Sequence, residues 1–392
     1  MGCRDGVDQQ GTRVMNDGWE QAVAQVVKAY AGQYPDNLER VAGGFNNIGV
    51  RVEVKGLRLF AKCYFRHAGD TRDRLGTEFG FLRFVWDHGI RCVPEPLVMD
   101  EAAGVGLYAR IEGKVPEADS ISRADAGQMA GFLVGLNRLA RDPAAGALPP
   151  ASESAFQLSD YLAHQDRRWA RLESLAGTEA IGESFRALME RMSVLRRKLR
   201  DFVATLAHEQ GMDPAAEFPR DTLTLSPADH GFHNTLRREG ALVFLDFEYA
   251  GWDDPAQMIA NACHQSRLPV PAAERRYFIA TVLESLPGAA GIAKRLRIVY
   301  PLVGFKWALI LLNEFLPVSG DRRRFAGEDP VARREEQLAK SARQCDVVER
   351  WLDGGAAEWG WFGSDTSPYL EMWSGGRRHG VAPGYKMTQK GL

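Results

Sequence analysis

Apolar residues recur at Trp19, Val23, Val26, Val27 and Tyr30, the one-face spacing of an amphipathic helix running from Asn16 to about Gly32. From residue 40 the period changes. "RVAGGFNNIGVRVEVKGLRLFAKCYF" (40–65) alternates in VRVEV and again in LRLFAKCYF, which predicts strands joined at the Lys-Gly pair. Helical spacing returns in "RDRLGTEFGFLRFVWDHGI" (72–90), and "VPEPLVMD" and "GVGLYARIEG" read as two further strands. From about Ser120 the pattern is helical, through "RADAGQMAGFLVGLNRLARD" and the arginine-rich stretch 153–210. Residues 221–249 are extended again: a short strand, a polar loop and the strand "LVFLDF". Helices follow from Pro255 to about Leu352. No internal repeat is visible.

This order predicts an α+β protein of two lobes with a cleft between them. A small antiparallel-sheet lobe would span residues 16–112 and a larger, mainly helical lobe 113–353. Residues 1–15 have no apolar pattern and read as disordered, with Met15 a candidate start of translation. The Gly-rich segment 354–392 reads as a mostly disordered tail, pinned by Trp359, Trp361 and Phe362.

Composition narrows the classes. At 392 residues the chain can bury a core in each lobe, and a net charge of −2 gives no basic field for nucleic acid or an anionic membrane. Five scattered cysteines without a Cys-x-x-Cys pair predict no disulfide framework and a cytoplasmic setting. No uninterrupted run reaches the ~18 apolar residues of a membrane span. The longest, around "VGFKWALILLNEFLP", is broken by Lys306, Asn313 and Glu314. Oligomeric state is not legible.

The candidate chemistry lies in "LSPADHGFHNTL" (225–236) and "FLDFEYAGWDDP" (244–255). Phosphoryl transfer needs a carboxylate for the attacking hydroxyl, oxygen ligands for Mg²⁺, and a lysine on the phosphates with a carboxylate to hold it. Asp229 and Asn234 lie on one loop, and Asp246, closing the next strand, would meet them through a hairpin. Lys62 sits on a strand of the small lobe and Glu78 on the following helix. The turn "GGFNNIG" (43–49) would let backbone amides approach phosphates. The His230/His233 pair lacks the further ligands of a zinc site, so these histidines are expected to shape the loop. "RRWARLESL" and "LRRKLRDF" read as solvated helix faces.

This set resembles the aminoglycoside phosphotransferase and choline kinase-like family, which has the protein-kinase-like fold. "PADHGFHN" matches the family's D-x-x-x-x-N, and "LDFEYAGWDDPA" its metal-binding segment. The resemblance implies Asp229 as catalytic base, Asn234 and Asp246 as Mg²⁺ ligands, and ATP as phosphoryl donor. Lys62 would contact its phosphates and Glu78 would pair with Lys62. Gly43, Gly44 and Asn46 would lie in the phosphate-binding turn, and backbone groups of Ala109 and Ile111 would hold the adenine. Asp254 would brace the loop. Two positions depart from the family: Pro227 stands where it has His and Ala228 where it has Gly, and Pro227's locked φ is expected to fix the loop instead.

The acceptor would be a small molecule with a hydroxyl: a sugar, amino sugar or amino alcohol. Glu248, Trp252, Asp253, Asn313 and Glu314, with Trp307 nearby, are the residues that would hold it. The second reading is a catalytically weak nucleotide-binding regulator on the same fold.

Overall fold

Two lobes are built around separate clusters of apolar side chains in the computed structural model, which describes residues 18–41, 47–64, 66, 72–176, 182–316 and 333–355. The small lobe opens with α1 (Trp19–Ala31), stopped by Gly32 in the left-handed conformation. Five strands follow: β1 (Asn37–Val41), β2 (Asn47–Val54), β3 (Leu57–Tyr64), β4 (Pro96–Asp100) and β5 (Val105–Ala109). They form one antiparallel sheet in the order β1-β2-β3-β5-β4.

The alternation seen in the sequence is the burial pattern of this sheet. Val50, Val52 and Val54 of β2 and Leu59, Ala61 and Cys63 of β3 pack under Val23, Val26 and Val27 of α1. Tyr30, predicted on the same helix face, is exposed in the last turn. The opposite parity of β3 therefore turns Lys62 away from this core. Between β3 and β4, α2 (Arg74–Asp87) is capped by Asp73, whose carboxylate accepts from the Gly76 amide. Phe81, Leu82 and Val85 of α2 join the core of the larger lobe, so this helix belongs to both lobes.

The larger lobe contains α3 (Arg123–Leu139), α4 (Leu158–Ala176), α5 (Glu183–Glu209), α6 (Pro255–His264), α7 (Arg275–Glu284), α8 (Ala289–Leu311) and α9 (Arg334–Arg350). The segment Ala289–Phe315 is long and apolar enough to cross a membrane, which counting uninterrupted apolar residues did not register. Here 83% of its apolar window is buried, as in the central helix of a globular core.

Two small ladders interrupt the helices. β6 (Thr224–Ser226) pairs with β9 (Gly251–Asp253), and β7 (Thr235–Arg238) with β8 (Ala241–Phe244). The loops 227–234 and 245–250 thus both run between the same two paired ends, Ser226↔Gly251 and Thr235↔Phe244. This nesting brings Asp229, Asn234 and Asp246 together. Asp246 does not close a strand as predicted. β8 ends at Phe244, and Asp246 has φ +66 in the loop beyond it.

The turn holding Gly43, Gly44 and Asn46 lies outside the described residues. So do the segment 1–15 and the tail aromatics Trp359, Trp361 and Phe362.

Candidate active site

Lys62 donates to Glu78 Oε2 and to Asp246 Oδ1, both at 2.6 Å. Burial pulls its pKa down, but the charges of Asp246, Glu78 and Glu248 outweigh this and hold it well above the ordinary lysine value. Burial and Asp246 in turn push Glu78 upward against the pull of Lys62. Glu78 is further fixed by the Tyr64 hydroxyl at 2.6 Å and by the Phe247 amide at 3.3 Å. Tyr64 and Tyr108 share a hydroxyl–hydroxyl bond of 2.7 Å. In register beside Lys62 stand Gly49 on β2 and Gly106 on β5. A Cβ at Gly106 would meet the Tyr108 hydroxyl at 2.6 Å, so this glycine makes room for the tyrosine that completes the chain.

Asp229 sits on a tight turn. Its amide donates to the Pro227 carbonyl at 2.8 Å, with Ala228 between them at φ +62. That is an i→i+2 turn of the rare, strained hand. The Ala228 amide donates to Ser226 Oγ at 3.1 Å. The loop is therefore set by this turn and the serine hydroxyl, where Pro227's ring alone was expected to set it. The Asp229 side chain is 32% exposed, yet its surroundings remove enough water to raise its pKa to about 6. The negative charge of Asp246 adds to this, and a 3.4 Å contact from Gln265 works against it.

Asn234 Nδ2 donates to the Asp229 carbonyl at 3.0 Å, which leaves Oδ1 uncommitted. The Leu245 amide donates to the Asn234 carbonyl at 2.8 Å, tying the two loops together. The donor set offered at this point is the Asp246 carboxylate and the Asn234 amide oxygen, all hard oxygen, which fits Mg²⁺. Among the described residues no group of three or more His, Cys, Asp or Glu could hold a metal ion, so His230 and His233 do not form a larger cluster. Burial depresses both histidines, His230 to about 4 and His233 to about 3, so both stay neutral. His233 Nε2 accepts at 3.1 Å from Gln265, which ends α6, so its bond reaches outside the loop where one within it was expected.

At the lobe connector the Ala109 amide is used by the Glu95 carbonyl at 2.9 Å, so a nucleotide base would meet the Ala109 carbonyl. The Ile111 amide has no backbone partner among the described residues and would be free to donate.

The predicted acceptor contacts are placed differently. Glu248 is buried, accepting from Asn47 of β2 at 2.7 Å, with Arg74 of α2 3.8 Å away; it joins the lobes. Trp252, half-buried, gives its indole N–H to the Ala145 carbonyl, and buried Trp307 gives its own to Asn261. Asp253 has no exposed surface. It accepts from the Ala155 and Asp254 amides and from Gln257, and burial lifts its pKa to about 7. Desolvated and fully bonded, it supports the floor and does not meet an acceptor. Asn313 and Glu314 lie in the turn ending α8, where Arg334 donates to the Glu314 carbonyl. Asp254 caps α6, holds Arg295 of α8 through two nitrogens and accepts from Tyr161 of α4.

The sequence reading missed Tyr64, Asn47, Arg74, Gln265 and Lys306. Their partners lie far off in the chain, and no local spacing marks them.

The profile of the phosphotransferase enzyme family matches residues 37–293. The fold is shared with choline kinase from Cryptosporidium parvum (11% identity, 87% of this chain and 97% of that one, TM-score 0.60). It is shared with the spectinomycin phosphotransferase APH(9)-Ia in complex with ADP and spectinomycin (12%, 84% and 98%, 0.56). The choline kinase LicA from Streptococcus pneumoniae also matches (15%, 84% and 99%, 0.53). No curated protein matches by sequence. With the family's profile covering more than half of its length and the kinase-like two-lobed fold around these residues, the chain belongs to the phosphotransferase enzyme family.

Proposed function

We propose that the protein is a Mg·ATP-dependent small-molecule kinase that transfers the γ-phosphate to a hydroxyl of a sugar, amino sugar or amino alcohol. The observation that carries this reading is Lys62 held at 2.6 Å by both Glu78 and Asp246, within the lobe junction that also holds Asp229 and Asn234. The family match supports phosphoryl transfer, and structural relatives that act on choline or spectinomycin support a small alcohol as acceptor.

Lys62 would neutralise the donor's phosphates, with Glu78 and Tyr64 keeping its ammonium in place. Asn234 and Asp246 would hold Mg²⁺, which supplies charge neutralisation of the phosphates. Asp229, poised near pH 6, would orient the acceptor hydroxyl and take its proton. The acceptor oxygen forms a bond to the γ-phosphorus, the bond to the β–γ bridging oxygen breaks, and ADP leaves with that electron pair.

A weak regulator is disfavoured, because both oxygen ligands, the lysine pair and the base occur together. The deciding experiment is thermal melting with ATP, ADP or GTP, with Mg²⁺ and with EDTA, followed by ADP release in Asp229→Ala. A Mg-dependent shift and a loss of turnover with nucleotide binding kept are the expected results. No shift with any nucleotide would overturn the reading.

A further inference from the structure

Lys306 is a cation inside the larger lobe. It is 8% exposed, on the apolar helix α8. Its single hydrogen bond among the described residues is a long one, 3.5 Å to Gln257 Oε1, so a three-donor group is left with most of its capacity unused. Burial lowers its pKa, against the negative charges of Glu153, Asp253 and the candidate base Asp229. Two of these are already engaged. Asp253 is saturated as described above, and Glu153 accepts from Arg168 at 2.7 and 3.2 Å.

Glu153 also marks where further cations gather. Its neighbour Ser152 donates its amide to the Tyr249 carbonyl, three residues beyond Asp246, and Gln257 donates to the Glu153 carbonyl. Arg168 stands on α4 with Arg171 one turn on, at three residues from Arg168 and four from Arg167. The guanidinium groups of Arg167 and Arg171 make no ion pair or hydrogen bond among the described residues. From the small lobe, Arg72 lies over the Tyr249 ring at 5.4 Å, and its charge reaches Arg171. Arg168 and Lys306 thus both act on Glu153, and Arg171 lies within reach of the same carboxylate and of the Arg167, Arg168 and Arg72 charges at the edge of the site. Such crowding of like charge is costly unless an anion sits among it.

We infer that the acceptor alcohol carries an anionic group, a phosphomonoester or a carboxylate, bound by Lys306 and the Arg167/Arg168/Arg171 face of α4 while its hydroxyl meets Asp229. This rests on the phosphotransferase reading of the same site. It selects against cationic amines such as amino sugars. The proton, the phosphoryl group and the leaving ADP go as already described.

The test uses the full chain saturated with Mg²⁺ and AMP-PNP, which fills the donor phosphate positions, and titrates inorganic phosphate calorimetrically. Saturable phosphate binding is expected, weakened at least about tenfold in Lys306→Met and in the exposed double variant Arg167→Gln/Arg171→Gln. The double variant keeps the test sound if the buried substitution fails to fold. In parallel, ADP release with ATP is compared for glucose, glucose 6-phosphate, gluconate and glucosamine. Phosphate that does not bind, or binds both variants as it does wild type, would overturn the inference, as would glucosamine or glucose proving the best acceptor. Failure of AMP-PNP itself to bind would sink the phosphotransferase reading, and the anionic acceptor with it.

Discussion

Lys62 bridges the two lobes to Asp246 at the same 2.6 Å at which it meets Glu78 of its own lobe. The carboxylate assigned to the metal is thus held by an ammonium, and the one cation stabilises two acids. Removing the ammonium leaves the buried Glu78 carboxylate without its partner, which costs about 3–5 kcal/mol for a broken buried pair, while the 38% exposed Asp246 is screened by water. Lys62→Met should melt well below wild type. The deficit should shrink in millimolar Mg²⁺, because a divalent cation replaces the lost charge beside Asp246. The kcat/KM for ATP should fall by about 10²–10³. Melting curves with and without Mg²⁺ check this; a deficit unaffected by Mg²⁺ would argue against Asp246 as a metal ligand.

Asp229 titrates near pH 6, so the fraction of ionised base falls as the pH drops through that value. The kcat/KM profile should show an acid limb with an apparent pKa near 6, falling about tenfold per unit below it. Asp229→Asn should lose about 10²–10⁴ in kcat and abolish the limb. Stability should move the other way. A carboxyl whose pKa is raised on folding contributes stability only below its unfolded value near 3.8, and loses it as pH rises through 6. At pH 7 the Asn variant should therefore melt higher, by roughly 1–3 °C, with the gain vanishing below pH 4.

Ala228 occupies a left-handed conformation that suits glycine, the residue that the family motif would place here. An L-residue pays about 1–2 kcal/mol there, while glycine pays roughly 0.5–1 kcal/mol in unfolded-chain entropy. Ala228→Gly should thus stabilise the chain by at most about 1 kcal/mol. Because Ser226 Oγ and the Pro227 carbonyl still hold the loop, kcat should change less than about threefold. Urea unfolding with a kinetic assay checks both. A large loss of kcat would mean that the strained turn itself aims Asp229.

What could be read in the sequence was whatever a local period encodes. Alternation in LRLFAKCYF put Lys62 opposite the core residues of β3, and the 16-residue step to Glu78 follows from a helix packed on that sheet. D-x-x-x-x-N and the later carboxylate needed only a hairpin to converge. What stayed hidden depends on partners far apart in the chain. Tyr64 looks like one more strand aromatic until Glu78 and Tyr108 meet it. Lys306 looks like an interruption in an apolar helix. Asp253 looks like a site acid, and only the three-dimensional fold shows its oxygens spent on Ala155, Asp254 and Gln257. The arginines of α4 read as a solvated face, and Arg167 and Arg171 are indeed exposed.

Glu248 makes the clearest case for separating an acceptor contact from a structural latch. Its carboxylate is buried between Asn47, the first residue of β2, and Arg74 at the start of α2. If it held the acceptor, Glu248→Gln would raise the acceptor's KM and leave nucleotide affinity alone. As a latch between lobes it predicts the opposite. The Gln variant keeps an oxygen for Asn47 but loses its charge beside a nearly buried guanidinium, so Tm should fall and the KM for ATP should rise about three- to tenfold. The acceptor's KM should stay within about twofold. Glu248→Ala, which also removes the Asn47 bond, should lower Tm further, and Asn47→Ala should reproduce the rise in ATP KM with a smaller loss of stability, since it leaves Arg74 its carboxylate. Kinetics with each substrate varied in turn decide the matter: an effect confined to the acceptor's KM would return Glu248 to the substrate site.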